Sequence, residues 1–103
     1  MLDLFKKKYD AVNYNCGHFA IDFLNEIGGN NWLEVQNIKS LRKLKKIPSP
    51  TSPCVVMMRS AHRDLHCGVF YLSKVVHLVE SGVRADKLSD LTEFKISFFQ
   101  CPQ

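Results

Sequence analysis

The chain has 103 residues, of which 46% are hydrophobic, and its formal net charge is +4 at pH 7. This length suits one domain with a modest core and leaves no room for a regulatory module, so we expect a single domain over residues 1–103. No apolar stretch approaches the length of a signal peptide or a membrane span, so we expect no signal peptide, no transmembrane segment and synthesis in the cytoplasm.

The first strongly patterned segment predicts a helix over about residues 15–27. Its apolar side chains recur at spacings of three and four, which places them on one helical face. Asn15 is a suitable N-cap, and Gly28 followed by Gly29 is a natural stop. Cys16 then occupies the first helical position, where backbone amides without a helical partner point outward.

A second amphipathic pattern predicts a short basic helix that ends before Pro48. Its bases lie between Lys39 and Lys46, and two interpretations stay open for this segment, a solvated helix face and a contact surface for a protein partner. Aromatic residues do not alternate with these bases, as a platform for stacking nucleic-acid bases would require, so nucleic acid is not an expected partner. The proline-rich residues 48–53 that follow predict an extended connector.

From Cys54 onwards the composition favours β-strands. We predict strands at about residues 54–58, 67–72, 75–79 and 94–99, with Ser73 and Lys74 as the tight turn of a hairpin. The polar segment 81–90 is predicted to be a connection, with a helical turn near residues 87–91. The predicted fold is therefore α+β, with N-terminal helices packed on a mainly antiparallel sheet of about four or five strands.

Two segments contain the residue types that nucleophilic catalysis needs. Acyl transfer by a cysteine requires a thiol, an imidazole that moves the proton, a polar group that orients the imidazole, and amides that hold the oxyanion. Cys16 is the candidate nucleophile, because a helix N-terminus and a nearby imidazolium both lower a thiol pKa. His66, at the start of a β-type run, is the candidate base. The alternative for Cys16 is a small buried side chain without reactivity.

These segments resemble the NlpC-type cell-wall cysteine peptidases, which are papain-like enzymes of minimal size. The resemblance covers about residues 13–100 and rests on Asn-Cys-x-x-Phe-Ala at a helix start, His-x-Gly-Val-Phe-Tyr-Leu, and Val-Val-His-Leu. It implies a papain-like fold in which Cys16 is the nucleophile, His66 is the base and His77 orients the base. It also implies that the enzyme cleaves an amide bond in a bacterial cell-wall peptide.

Two shorter pieces, Asn-Cys-x-His-Phe and Val-Val-His-Leu, are also similar to lecithin:retinol acyltransferase-like proteins. In those proteins the cysteine segment follows the histidine strand, whereas here it precedes it, as in the peptidases. Acyl transfer stays open as an alternative, because water or another nucleophile can resolve a thioester. A catalytically inactive fold that binds or inhibits a protein is the other alternative. Because no export signal is expected, the resemblance points to a phage-associated enzyme, carried in the virion, or to a toxin delivered to the cell envelope.

The distance between His66 and His77 depends on the hairpin turn. With the predicted two-residue turn, Phe70 pairs with His77, and both histidines lie on one sheet face about 13 Å apart along the strands. Direct contact then requires a bulge or a different turn. The alternative groups that could orient His66 are Glu80, Gln100 and a backbone carbonyl.

Four further residues near these segments are candidates for contacts with the substrate or the oxyanion. Tyr14 precedes the helix and Gly17 follows the cysteine, so both lie close to the expected position of the oxyanion. His18 lies about 200° around the helix from Cys16, and we expect it to be structural or to line the cleft. His62 belongs to a polar loop, where we expect it to be solvated unless it contacts the substrate.

The cysteines and histidines do not show the spacing of a zinc site. The sequence contains no Cys-x-x-Cys pair, and neighbouring residues of a strand, such as His66 and Cys67, point to opposite faces. We therefore expect no metal and no cofactor. The four cysteines are few for a chain with this much apolar content, and we expect reduced thiols.

Overall fold

The β-rich second half of the chain forms one sheet, and the first half supplies the helices. A computed structural model describes residues 2–28, 41, 43–62 and 64–101. Within these residues the fold is α+β, with two helices and a sheet of six strands in which all pairings are antiparallel. The elements are α1 (Leu2–Phe5), α2 (Cys16–Gly28), β1 (Lys46–Ile47), β2 (Cys54–Arg59), β3 (Leu65–Tyr71), β4 (Lys74–Val79), β5 (Gly82–Asp86), a 3-10 helix (Leu88–Asp90) and β6 (Lys95–Gln100).

Helix α2 forms where the apolar stripe predicts it, within one residue at each end. The stripe is buried against one face of the sheet, with α1 also packed beside it, and this burial removes its apolar side chains from water. Full burial of each such side chain stabilises the fold by about 1.5–3 kcal/mol. The most deeply buried members are Phe19, Ala20, Phe23 and Leu24.

The strands lie in the order β1-β6-β2-β3-β4-β5, and the sheet separates two apolar clusters. Side chains alternate between the faces, as they do along any strand. The face towards α2 includes Val55, Met57, Cys67, Val69, Val76 and Leu78. The opposite face includes Val56, Met58, Val75 and Leu91, with Phe70, Phe94, Ile96 and Phe98 packed beside them.

The hairpin between β3 and β4 differs from the prediction. Tyr71 pairs with Lys74, so the turn consists of Leu72 and Ser73 rather than Ser73 and Lys74. Both turn residues have positive φ, 50° and 71°, which is the backbone of the tight hairpin turns that match strand twist. Phe70 consequently pairs with Val75 instead of His77. The shift is two residues, so His66 and His77 still share a face but lie closer together than predicted.

Two other segments correct the predicted secondary structure. Strand β5 lies within residues 81–90, which were predicted to be a connection, and the predicted helical turn is confirmed as the 3-10 helix Leu88–Asp90. Lys46 was predicted to end the basic helix, but it begins β1 and pairs with Phe99 of β6. Most of that predicted helix falls on residues outside the described part of the chain. The sheet thus has more strands than the predicted four or five.

Candidate active site

The start of α2 is held by a reciprocal pair of caps. The side-chain oxygen Oδ1 of Asn15 accepts hydrogen bonds from the amides of Gly17 (3.0 Å) and His18 (3.3 Å), and the Asn15 amide donates to Nδ1 of His18 (3.1 Å). This arrangement corresponds to a capping box in which the His18 imidazole takes the place of the usual Glu or Gln side chain and accepts from the N-cap amide. His18 is therefore structural, one of its two predicted roles. The cap occupies the Gly17 amide that was an oxyanion candidate, whereas it does not engage the Cys16 amide.

The sulfur of Cys16 lies among hydrogen-bond donors at this helix start. The residue is 8% exposed, and the groups that act on the acidity of its thiol are the Cys67 thiol and the His66 imidazole. The hydrogen bond with Cys67 lowers the pKa of Cys16 most, His66 lowers it further by a hydrogen bond and by charge, and burial opposes both. The resulting pKa is about 4, so Cys16 is a thiolate at neutral pH.

Cys67 is the donor that sequence reasoning missed. It is fully buried on the sheet face towards α2, as predicted for a core residue, and it follows His66 directly in β3. The hydrogen bond with the Cys16 sulfur, together with burial, raises the pKa of Cys67. Cys67 therefore stays protonated and donates its S–H to the thiolate. The spacing of Cys16 and Cys67 in the sequence gives no sign of this contact.

His66 and His77 are in direct contact. Nε2 of His66 lies 2.7 Å from Nδ1 of His77, and the ring centroids are 5.0 Å apart. Val69 pairs with Val76, and continuing this register by one residue sets Gly68 opposite His77, about 7 Å along the strands from His66. In the predicted register, contact between the two histidines required a bulge or a different turn. The observed turn provides that contact.

Gly68 makes this contact possible because it has no side chain. A Cβ atom at Gly68 would lie 2.9 Å from the Cβ of His77 and 2.9 Å from the carbonyl oxygen of Val76. Neither atom is the end of a flexible side chain, so any larger residue would push β4 away from β3. Gly68 is part of the family-like motif, but sequence reasoning did not assign it this role.

The second nitrogen of His77 contacts a carboxylate on β5. Nε2 of His77 lies 2.7 Å from Oδ2 of Asp86, and His77 is only 3% exposed. The Arg84 guanidinium donates to both carboxylate oxygens of Asp86, from Nε at 3.2 Å and from Nη2 at 3.1 Å. These hydrogen bonds, first from Arg84 and then from His77, lower the pKa of Asp86. Asp86 was not among the predicted site residues, because its strand was not predicted.

The protonation of His77 is governed first by its burial. Burial lowers the pKa of His77, and charge on His66 and Arg84 lowers it further, while Asp86 acts in the opposite direction. The ring is therefore kept neutral and can donate one hydrogen bond and accept one. Glu80 and Gln100, the alternative groups for orienting the base, are not the partners of His66 in this geometry.

The other predicted contacts lie away from this chain of groups. The Tyr14 hydroxyl donates to Oδ2 of Asp22 at 2.6 Å, and burial followed by that interaction raises the pKa of Tyr14. Its hydroxyl is therefore engaged along the helix, which removes the support for Tyr14 as an oxyanion donor. The Tyr14 ring stacks on His18, with centroids 6.0 Å apart. His62 is exposed in the turn after β2, as expected for a solvated loop residue.

A surface depression opens beside the two histidines. One pocket of about 220 Å³ is lined by His66, Glu80 and Tyr9 together with Val79 and Phe94. A second pocket, of about 420 Å³, is lined by His77 and shares Val79 and Phe94 with the first. Each pocket is therefore lined by one of the two imidazoles, whereas Cys16, which is 8% exposed, lines neither of them.

The described residues contain no cluster of three or more His, Cys, Asp or Glu side chains arranged to hold a metal ion. Within the same part of the chain, no helix has the length and apolar content needed to cross a membrane.

Comparisons of the chain with protein-family models, with curated proteins and with solved structures each found no match. The functional interpretation therefore depends on the geometry around Cys16 and on the motifs named above.

Proposed function

We propose that this protein is a papain-like cysteine hydrolase that cleaves an amide bond. The observation on which the proposal depends is the continuous chain of contacts from Cys16 at a helix start, through His66 and His77, to Asp86. A thiolate, an adjacent imidazole and a second group that orients the imidazole are the parts that covalent acyl transfer by cysteine requires. The low pKa of Cys16 supports the same interpretation.

The reaction would begin with attack of the Cys16 thiolate on the carbonyl carbon of the amide. The negative charge that moves to the carbonyl oxygen would be stabilised by the Cys16 amide and the N-terminal end of α2. Since Nε2 of His66 faces His77, Nδ1 of His66 is the nitrogen left to give a proton to the departing amine. The products of this step are the free amine and a thioester at Cys16.

Hydrolysis of the thioester would regenerate the enzyme. His66, now neutral at Nδ1, would take a proton from a water molecule as its oxygen attacks the thioester carbonyl. The C–S bond then breaks, the acid leaves, and the thiolate and the protonated imidazole are restored. His77 touches neither reacting atom in this scheme and acts as a positioning residue for His66.

The substrate class follows from the resemblance to NlpC-type peptidases. That resemblance supports a bacterial cell-wall peptide as the substrate, and the net charge of +4 favours association with anionic wall polymers. The two pockets beside the histidines give a peptide chain a surface along which to bind.

Digestion of purified peptidoglycan, followed by mass analysis of the products, tests the proposal. We expect wild type to release peptide fragments and Cys16→Ala to lose at least about 10³-fold of that activity. Cys54→Ala is the matched control, because Cys54 is equally buried but lies at the other end of the sheet, and it should keep the activity. Identical products from wild type and Cys16→Ala would remove the peptidase assignment.

Hydroxylamine in the same digest separates the related chemistries. A thioester at Cys16 reacts with hydroxylamine to give a hydroxamate, so wild type should form one and Cys16→Ala should not. An acyltransferase would instead join the acyl group to an added amine or alcohol acceptor in preference to water. A scaffold without catalytic activity would give neither product.

A further inference from the structure

Asp86 lies at the outer end of the hydrogen-bond chain, and its chemistry fixes the direction of every bond in that chain. An ionised carboxylate can only accept hydrogen bonds. Arg84 donates to both of its oxygens and lowers the pKa of Asp86, so the carboxylate is ionised throughout the neutral range. Nε2 of His77, which lies 2.7 Å from Oδ2, must therefore carry the proton.

That single constraint propagates through both imidazoles. A neutral histidine with its proton on Nε2 has a lone pair on Nδ1, so Nδ1 of His77 is an acceptor. Nε2 of His66, at 2.7 Å, must then be the donor. Because Nε2 of His66 keeps its proton, the proton that can come and go on this ring is the one on Nδ1, on the side left for the Cys16 sulfur.

We propose that Asp86, clamped by Arg84 on strand β5, is a positioning residue that sets the tautomer of His77 and thereby confines the mobile proton of His66 to Nδ1. The proposal rests on the function proposed above, in which Cys16 is the nucleophile and His66 the base. Without the carboxylate, His77 can adopt the other tautomer and donate from Nδ1. His66 could then no longer keep a proton on Nε2, and it could not become the imidazolium that stabilises the thiolate.

The burial of His77 explains why a single carboxylate can set the tautomer of its ring. A solvated ring would exchange tautomers with water as a competing partner, but His77 is only 3% exposed. Its two ring nitrogens have the two partners described here, one on β3 and one on β5. The charged or titratable groups that face its ring or share its pocket are His66, Arg84, Asp86, Asp90 and Glu93.

Histidine nitrogen chemical shifts measure the proposed tautomer directly. In ¹⁵N-labelled wild type we expect His77 to be protonated at Nε2 and bare at Nδ1, and in Asp86→Ala to shift towards the Nδ1-protonated form. Asp86→Glu, which restores a carboxylate, should return at least part of the wild-type signal. A His77 ring protonated at Nδ1 in wild type, or unchanged in folded Asp86→Ala, would overturn the proposal.

The reactivity of Cys16 gives a second readout that needs no substrate. We expect Asp86→Ala to raise the midpoint of the pH profile for iodoacetamide modification of Cys16 by about one pH unit, from about 4 to about 5, so that modification at pH 5 slows about 2-fold. Asp90→Ala is the matched control, since it removes a negative charge from the same pocket. An equal effect of Asp90→Ala would show a general charge effect and would contradict the proposal.

Further measurements distinguish a failure of the Asp86 proposal from misfolding of a variant and from failure of the proposed function. Circular dichroism reports whether each variant folds. If Asp86→Ala does not fold, Asp86→Ser takes its place in the same measurements, because a serine hydroxyl is too short to replace the carboxylate. If the tautomer and the modification rate change as expected while wild type leaves peptidoglycan intact, the role of Asp86 stands and the proposed substrate falls.

Discussion

The protein holds two pairs of cysteines that lie in different parts of the fold, and only one of the pairs contains an acidic thiol. Cys16 and Cys67 meet where α2 packs on the sheet, and the pKa of Cys16 is lowered to about 4. Cys54, which begins β2, and Cys101, which follows β6, lie near each other at another end of the sheet. Burial raises the pKa of Cys54, and burial with the charge of Cys54 raises that of Cys101 to about 11.

The difference between the pairs shows how strongly neighbouring groups must act to offset the burial of a thiol, since the hydrogen bonds from Thr51 lower the pKa of Cys54 by less than burial raises it. In both pairs burial disfavours the charged form. Only Cys16 has a thiol and an imidazole as neighbours that stabilise its thiolate, whereas the sulfur of Cys101 donates its own hydrogen to the carbonyl oxygen of Pro53 at 3.2 Å. A sulfur in this chain is thus made acidic by its partners, against the effect of its burial.

The largest expected effect is a difference in reactivity between the pairs. At pH 6 Cys16 should be almost fully ionised, whereas the ionised fraction of Cys101 should be about 10⁻⁵. Acidic thiolates are weaker nucleophiles, which reduces the difference in rate. We therefore expect Cys16 to react about 100-fold faster than Cys101. Its rate should stay level as pH falls and decline only near pH 4, where the thiolate takes up its proton. Mass spectrometry of iodoacetamide-treated protein measures both, and equally slow modification of all four cysteines would break the comparison.

A smaller effect is expected when the donor beside Cys16 is removed. Cys67→Ala eliminates the hydrogen bond that lowers the pKa of Cys16 most, so the pH midpoint for Cys16 modification should rise. We expect the midpoint to rise by about one pH unit, which lowers the thiolate fraction at pH 5 from about nine-tenths to about one half and slows modification there about 2-fold. Cys54→Ala is the matched control with equal burial and no contact with Cys16, and an equal shift in that variant would contradict the assignment.

The next effect concerns the approach of the two histidines. Gly68→Ala should lower the free energy of unfolding by about 1–3 kcal/mol, because its Cβ would overlap with the Cβ of His77 and the backbone of Val76. Urea unfolding measures the loss, and slower Cys16 modification should accompany it. Gly82→Ala strains a residue at φ 123° in open space, so it should destabilise the fold without changing Cys16 reactivity. A Cys16 rate that stays at the wild-type value in Gly68→Ala would contradict the role of the contact.

The smallest effect is expected at the second pair. Cys101→Ala removes one hydrogen bond to Pro53 from a half-buried position, so the free energy of unfolding should change by no more than about 1 kcal/mol. Modification of Cys16 should be unchanged, since the two pairs share no partner. A changed Cys16 rate in this variant would show that the pairs are coupled and would remove Cys101 as an independent reference.

The sequence predicts those parts of the fold in which pattern and caps agree. Helix α2 has an apolar stripe, an asparagine at its start and glycine at its end, and β2 and β4 have continuous apolar runs. The hairpin turn could not be placed, because Leu72 and Ser73 adopt positive φ without the asparagine or glycine that normally marks such a turn. Strand β5 was missed because it is short, has Arg84 and Asp86 among its five residues and lies at the edge of the sheet.

The sequence likewise predicts only part of the candidate site. Cys16, His66 and His77 carry recognisable motifs, and the structure brings these three residues together. Cys67 and Asp86 carry no motif, since the role of each depends on which strand or helix lies beside it. The distance between the histidines was overestimated because the turn was misplaced by one residue, which changes the strand pairing by two.

The parts of this chemical unit differ in how far apart they lie along the polypeptide. The histidines and the carboxylate come from three successive strands within residues 66–86, whereas the sulfur comes from residue 16 and joins them only when α2 packs on the sheet. In a newly made or unfolded chain, all four thiols therefore have the pKa of about 8.5 of a free cysteine. Nucleophilic power at residue 16 thus requires that α2 pack on the sheet, so the speed of Cys16 alkylation at pH 6 reports whether that packing has formed.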